Sequence, residues 1–83
     1  MSSYQQASYV GPLSDEYGRL VEIERRIAQG EKRVADQAHR LKIMVVAGED
    51  GSGVRALLTT LLEDLLECYT LRAKMQRRIR AGS

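Results

Sequence analysis

The sequence has 83 residues and a formal net charge of +2, with 43% hydrophobic and 29% charged residues. This composition fits one small globular or bundle-forming domain and excludes a disordered chain or several domains. A single cysteine excludes an internal disulfide and a multi-thiolate metal site. No apolar run approaches the roughly 20 residues that a membrane span needs, and no signal peptide is visible.

Residues 1–13 carry no charge, include Gly11–Pro12 and show no hydrophobic period. They predict a flexible N-terminal lead ahead of a single helical domain over residues 14–83. Ser14 is the expected N-cap of the first helix, because Asp15 and Glu16 then fall in the first turn, where the helix dipole favours acids.

A seven-residue hydrophobic repeat predicts a first helix over about residues 14–47. A two-residue period, which would indicate a strand, fits nowhere in this stretch. The d positions include one polar residue, Gln37, which we expect to fix register or partner choice through a buried hydrogen bond. The a positions are Leu13, Leu20, Ile27, Val34 and Leu41, and the d positions are Ile23, Gly30, Gln37 and Met44.

Three glycines within residues 48–53 predict a turn, with Gly48 at the helix C′ position and Asp50 or Ser52 capping the next helix. The second helix is predicted over about residues 54–80 and is richer in leucine. Its main stripe is Val54, Leu58, Leu61, Leu65, Cys68, Met75 and Ile79. A second stripe widens the apolar surface through Leu57, Leu62, Leu66 and Tyr69.

These elements predict an all-α fold, an antiparallel hairpin of two long helices. Reflection about the turn places Gly30 opposite Arg72. A lone hairpin cannot bury both stripes of its second helix, so we expect a homodimer that forms a four-helix bundle or coiled coil, with association with a different protein as the other solution. The predicted interface residues are Leu57, Leu58, Leu61, Leu62, Leu65, Leu66 and Tyr69.

Two segments of the sequence partly match known site motifs, one a phosphate-binding loop and the other a di-metal carboxylate site. Gly48 and Gly53 have the glycine spacing of a phosphate-binding loop, but Val54 and Arg55 follow where that motif needs lysine and then serine or threonine. Asp36 and His39, with Glu63 and Glu67 on the second helix, imitate a di-metal carboxylate site. The heptad phase turns Asp36, His39 and Glu63 outward, so we expect no metal, no cofactor and no enzymatic activity.

The function predicted from this pattern is a non-enzymatic oligomerisation or protein–protein interaction module that presents a leucine-rich helix face. The alternative is a small dimeric nucleic-acid-binding protein that uses the basic end of the second helix. A third class is peripheral attachment to an anionic membrane. The residues of the candidate anion or nucleic-acid patch are Arg72, Lys74, Arg77, Arg78 and Arg80.

The segment Glu24–Gln37 has the form E-x-x-I-A-x-G-E-x-x-V-A-x-Q, and Gly48, Asp50 and Leu57–Leu58 follow it. Over about residues 20–80 this pattern resembles a set of short uncharacterised bacterial proteins, mainly from alpha-proteobacteria. The resemblance implies a cytoplasmic helical hairpin and brings no known activity. The bases after Tyr69 are more numerous than in that pattern.

Overall fold

The computed structural model describes residues 12–82, with side chains from residue 15 onward, and this part of the chain is two helices packed against each other. Helix α1 spans Pro12–Val46 and helix α2 spans Ser52–Gly82. At 1.5 Å per residue, α1 is about 52 Å long and α2 about 46 Å. The predicted all-α hairpin is confirmed. The proposed flexibility of the lead concerns residues that lie almost entirely outside the described range.

Helix α1 begins earlier than the sequence predicts. Its first residue is Pro12, where the fixed φ of proline suits the first turn and the missing N–H costs no hydrogen bond. Ser14 therefore lies inside the helix, and its predicted N-cap role is wrong. Asp15 lies in the first turn, as expected.

Helix α1 ends in a Schellman motif around Gly48. The Gly48 N–H donates to the carbonyl of Val45 at 3.1 Å, and the Glu49 N–H donates to the carbonyl of Met44 at 2.8 Å. Gly48 has a φ of +74°, a conformation that glycine adopts without steric cost. The predicted C′ role of Gly48 is confirmed.

The side chain of Asp50 binds the first residue of helix α2, Ser52. Its Oδ1 accepts the Ser52 N–H at 3.0 Å, and its Oδ2 accepts the Ser52 hydroxyl at 3.2 Å. These bonds to Ser52 hold the pKa of the Asp50 carboxyl below its ordinary value. The Arg55 N–H donates to the carbonyl of Gly51 at 2.9 Å, which closes the first turn. Helix α2 thus begins at Ser52, two residues before the predicted start.

The earlier start of α2 changes which residues face each other. The connection is shorter than predicted, so each residue of α1 lies opposite a residue nearer to the beginning of α2. Gly30 faces Leu65, since a Cβ atom on Gly30 would lie 3.1 Å from Leu65 Cδ1. The predicted pairing of Gly30 with Arg72 is wrong, and Arg72 instead lies over the ring of Tyr69.

A single apolar seam holds the two helices together. All of its buried members occupy predicted a, d or main-stripe positions, which confirms the heptad phase. No side chain between residues 15 and 82 is completely buried, because each helix has a neighbour on one side only. The buried side chains are Ile23, Ile27, Leu65, Cys68, Met75 and Ile79, with Leu20, Val34 and Tyr69 packed against them.

Candidate interaction surface

Helix α2 exposes four leucine side chains to solvent. Leu57, Leu62, Leu66 and Leu71 have exposed fractions of 46%, 43%, 62% and 43%. Scattered single apolar residues are ordinary on a protein surface, but four leucines within fifteen positions of one helix are not scattered. This surface is the feature of the described chain that most needs a partner.

The exposed leucines lie on two flanks of the seam. Successive residues of an α-helix are rotated by about 100°, so Leu62 and Leu66 share the flank of Tyr69. The same rotation places Leu57 on the other flank, together with Leu71. Leu71 lines a cleft between the helices with Gly30 and Cys68. The second stripe predicted from the sequence is therefore divided, with Leu57 apart from its other members.

The remaining predicted interface leucines hold the hairpin itself together. Leu65 is buried, and Leu58 and Leu61 are half-buried against α1. Because these three are already packed, the surface left for a partner is formed by the exposed leucines. Of the predicted interface residues, Leu62 and Leu66 are the ones on the open side with Tyr69.

Tyr69 links the two helices at the edge of the seam. Its hydroxyl donates to Glu31 Oε2 at 2.6 Å, and the Arg72 guanidinium lies 5.3 Å from its ring centroid. The hydrogen bond to the Glu31 carboxylate raises the pKa of Tyr69, with a smaller effect from burial. Tyr69 is therefore a fixed element of the hairpin more than a free contact residue.

The outward side of α2 carries a shallow hollow of about 400 Å³. We call the surface around it the outer face of α2. The hollow is lined by the exposed leucines Leu66 and Leu71 together with Glu67 and Thr70. Thr70 turns its hydroxyl away from the hollow, since Oγ1 donates to the carbonyl of Leu66 at 3.1 Å. Glu67 lines the hollow itself, and Glu63, Lys74 and Arg77 lie four to seven residues from Thr70 on the same side of the helix.

The basic residues near the end of α2 do not form one continuous patch. Arg78 Nε lies 3.4 Å from Glu16 Oε2 on α1, and Arg72 is held over Tyr69. Lys74, Arg77 and Arg80 are exposed and three residues apart, so each is a neighbour of the next while the set spans about 120° of the helix. The structure therefore divides the candidate anion patch between the seam, an ion pair with α1 and the exposed side of α2.

Sequence reasoning overlooked a row of arginines on α1. Arg19, Arg26, Arg33 and Arg40 recur every seven residues and so follow one edge of the helix. Two of them, Arg19 and Arg26, line a cleft of about 660 Å³ between the helices. This row could have been predicted from the seven-residue repeat, because each of the four arginines directly precedes an a position. The other residues lining this cleft are Glu22, Ile23, Leu71, Lys74, Met75 and Arg78.

The two imitated chemical sites have ordinary structural explanations. Residues 43–46, which a phosphate-binding loop would place in a strand, belong to α1, so Gly48 and Gly53 flank a helix–turn–helix connection. Asp36, His39 and Glu63 are exposed, as the heptad phase predicts. In the part of the chain that the structure describes, no three His, Cys, Asp or Glu side chains are grouped as metal ligands.

Gln37 occupies the seam without the hydrogen bond that its position predicts. Its Oε1 is shielded from solvent and has no partner among the described residues. A shielded carbonyl oxygen without a donor destabilises a fold by about 1–3 kcal/mol. Within the hairpin, the predicted buried hydrogen bond of Gln37 is not formed.

Comparison with known proteins gives no further assignment. No protein-family model, curated protein or solved structure matches this chain. The resemblance to alpha-proteobacterial hairpin proteins stays a prediction. Across residues 12–82, neither helix is long and apolar enough to cross a membrane.

Proposed function

We propose that this chain is a non-enzymatic interaction module that associates through the exposed leucines of α2, with a second copy as its favoured partner. The observation that carries this proposal is the exposure of Leu62 and Leu66, which share one flank of a hairpin whose seam is already filled. A homodimer is the simplest assembly that covers such a surface.

The thin core supports the same proposal. A two-helix hairpin buries side chains on one side of each helix, and no side chain among residues 15–82 is completely shielded from solvent. Small domains with limited cores commonly gain stability from oligomerisation. Covering Leu66, which is 62% exposed, would remove more apolar side chain from water than covering any other leucine of α2.

The basic residues of α2 support nucleic-acid binding less well than the leucines support association. Lys74 and Arg78 line a cleft with Arg19 and Arg26, but Glu16 is ion-paired with both Arg19 and Arg78, and Glu22 lines the same cleft. These acids offset the positive charge of the cleft. Binding to a phosphate backbone requires several cations on one surface. We therefore give the leucine surface precedence over the basic helix end.

The test is a pair of truncations, Leu62→Ala with Leu66→Ala, followed by sedimentation velocity at micromolar concentration. Truncation of a central interface side chain typically costs more than about 1 kcal/mol, and a symmetric dimer contains each change twice. We therefore expect the Kd of the dimer to rise by about 10³-fold or more.

A matched control removes two exposed apolar side chains elsewhere. Ile43→Ala with Val46→Ala changes residues that are 55% and 82% exposed near the end of α1. This control should associate like the parent protein. Equal association of the leucine variant and the parent would contradict the proposed surface.

A further inference from the structure

Acidic and basic residues form a mirror image of opposite sign about the middle of α2. Two acids precede Thr70–Leu71, and two bases on the same side of the helix follow at the same distances. Each of these acids therefore has a base as its mirror position. The mirrored pairs are Glu63 with Arg78 and Glu67 with Lys74.

Most of these charged side chains could form ion pairs with a partner protein. All four side chains are exposed. Arg78 forms an ion pair with Glu16, but the other three have no ion pair with any residue between 15 and 82. The hairpin does not use most of this charge pattern to hold itself together.

An apolar hollow adjoins the centre of the mirror pattern. Leu66 and Leu71 line it, together with Glu67 and Thr70, and both leucines are exposed. An apolar centre with charged residues around it is the usual composition of a protein–protein interface. Thr70 and Leu71, which flank the centre of the charge pattern, line one end of this hollow.

We propose that the outer face of α2 binds the same face of a second copy, with the two α2 helices antiparallel. A twofold axis then passes between Thr70 and Leu71 and brings each acid beside the mirrored base of the partner. This arrangement rests on the proposed function and specifies its orientation. Leu66 and Leu71 supply the apolar contact, and the charges select the antiparallel direction.

Charge repulsion disfavours the parallel arrangement. With two parallel α2 helices in register, Glu63 and Glu67 would face the same acids of the second copy, and Lys74 would face the same base. Like charges at an interface suppress the wrong pairing. The antiparallel arrangement converts these repulsions into attractions without moving a residue.

Chemical cross-linking tests the orientation directly. In a Cys68→Ala background, one protein carries Glu63→Cys and a second protein carries Arg78→Cys. The two proteins are refolded either alone or together and are then treated with a short bis-maleimide. The antiparallel axis places these two positions side by side across the dimer. In that arrangement, each position lies about 22 Å along the helix from the same position in the partner chain. We expect strong cross-linking in the mixture and little in either protein alone.

Charge reversal provides an independent test. Glu63→Lys with Glu67→Lys creates a basic face, and Lys74→Glu with Arg78→Glu creates an acidic face. We expect the Kd of each homodimer to rise about tenfold or more, and a mixture of the two to recover association as a heterodimer. The control, Glu24→Lys with Glu49→Lys, makes the same charge change away from this face and should associate like the parent.

The outcomes separate the two proposals. Self-cross-linking of the Glu63→Cys protein in preference to the mixture would overturn the antiparallel arrangement and leave self-association intact. Unchanged homodimers after charge reversal would overturn it as well. A chain that stays monomeric at every concentration would overturn both the arrangement and the proposed function.

Discussion

Gly51→Ala tests the close approach of the turn to α1. Gly51 is buried, and a Cβ atom added there would lie 2.5 Å from Leu41 Cδ1. This separation is about 1 Å shorter than an ordinary carbon–carbon contact, so Leu41 or the turn must move. Overpacking costs about 1–3 kcal/mol, and the low end of this range applies because Leu41 Cδ1 is the end of a flexible, half-buried side chain. The lower backbone entropy of unfolded alanine offsets about 0.5 kcal/mol.

The expected net loss is about 0.5–1 kcal/mol, which lowers the Tm of a domain of this size by about 2–8 °C. Thermal unfolding followed by circular dichroism at one fixed protein concentration measures it, because association makes the Tm depend on concentration. Gly53→Ala is the matched control, since a Cβ atom there meets nothing within 4 Å. Equal Tm values for the two variants would refute the proposed clash.

A double substitution identifies the clashing partner. In a Leu41→Ala background the methyl group of Gly51→Ala has room, so the second substitution should cost little. The coupling free energy between positions 41 and 51 should be about 1 kcal/mol. Strictly additive effects would show that the strain arises elsewhere in the turn.

Three further predictions concern other elements of the hairpin. Gly48→Ala places alanine at a φ of +74° and should lower the free energy of unfolding by about 1–2 kcal/mol, as measured by urea titration. The control, Gly18→Ala, lies in open space within α1 and should raise the free energy of unfolding by about 0.5–1 kcal/mol. Gln37→Leu removes an unpaired shielded oxygen from the seam and should raise the free energy of unfolding by about 1 kcal/mol; a loss would show that Gln37 is hydrogen-bonded in the assembled protein. Because the pKa of Tyr69 is raised above its usual 10.0, its stabilising contribution is present below that pH and disappears as the pH rises through the folded value. Alkaline titration of tyrosinate absorbance should therefore show a late phase that Tyr69→Phe removes, and its persistence in that variant would contradict the bond to Glu31.

The seam and the turn could be predicted because local rules determine them. The seven-residue repeat fixes which side of each helix faces the other, and the buried residues Ile27, Leu65 and Met75 lie at predicted positions. Gly48 could be predicted because a helix end needs a residue that tolerates positive φ. Such features depend on residues close together in the sequence.

The register could not be predicted because it depends on where α2 begins. Asp50 accepts the Ser52 N–H, so the helix starts before Gly53, the last residue of the predicted turn. The connection is one residue shorter than predicted and α2 starts two residues earlier, which changes every pairing along the seam. Gly30 consequently meets Leu65 and not Arg72.

The division of the second leucine stripe shows a different limit. The predicted stripe groups residues by apolar character alone. The side of the helix on which each residue lies depends on how far it is rotated from the seam. Leu57 and Leu62 are five residues apart, which corresponds to about 140° of rotation. The opposite-sign mirror of charges about Thr70–Leu71 was present in the sequence, but its meaning requires knowing that these residues are exposed on α2.

The mass of the folded chain in solution tests the central claim most directly. Sedimentation equilibrium over a series of micromolar concentrations distinguishes a monomer of 9.3 kDa from a dimer of twice that mass. Self-association through the leucines of α2 predicts the dimer mass, with only weak dependence on salt because the contact is mainly apolar. A folded species that keeps the monomer mass at every concentration would contradict it.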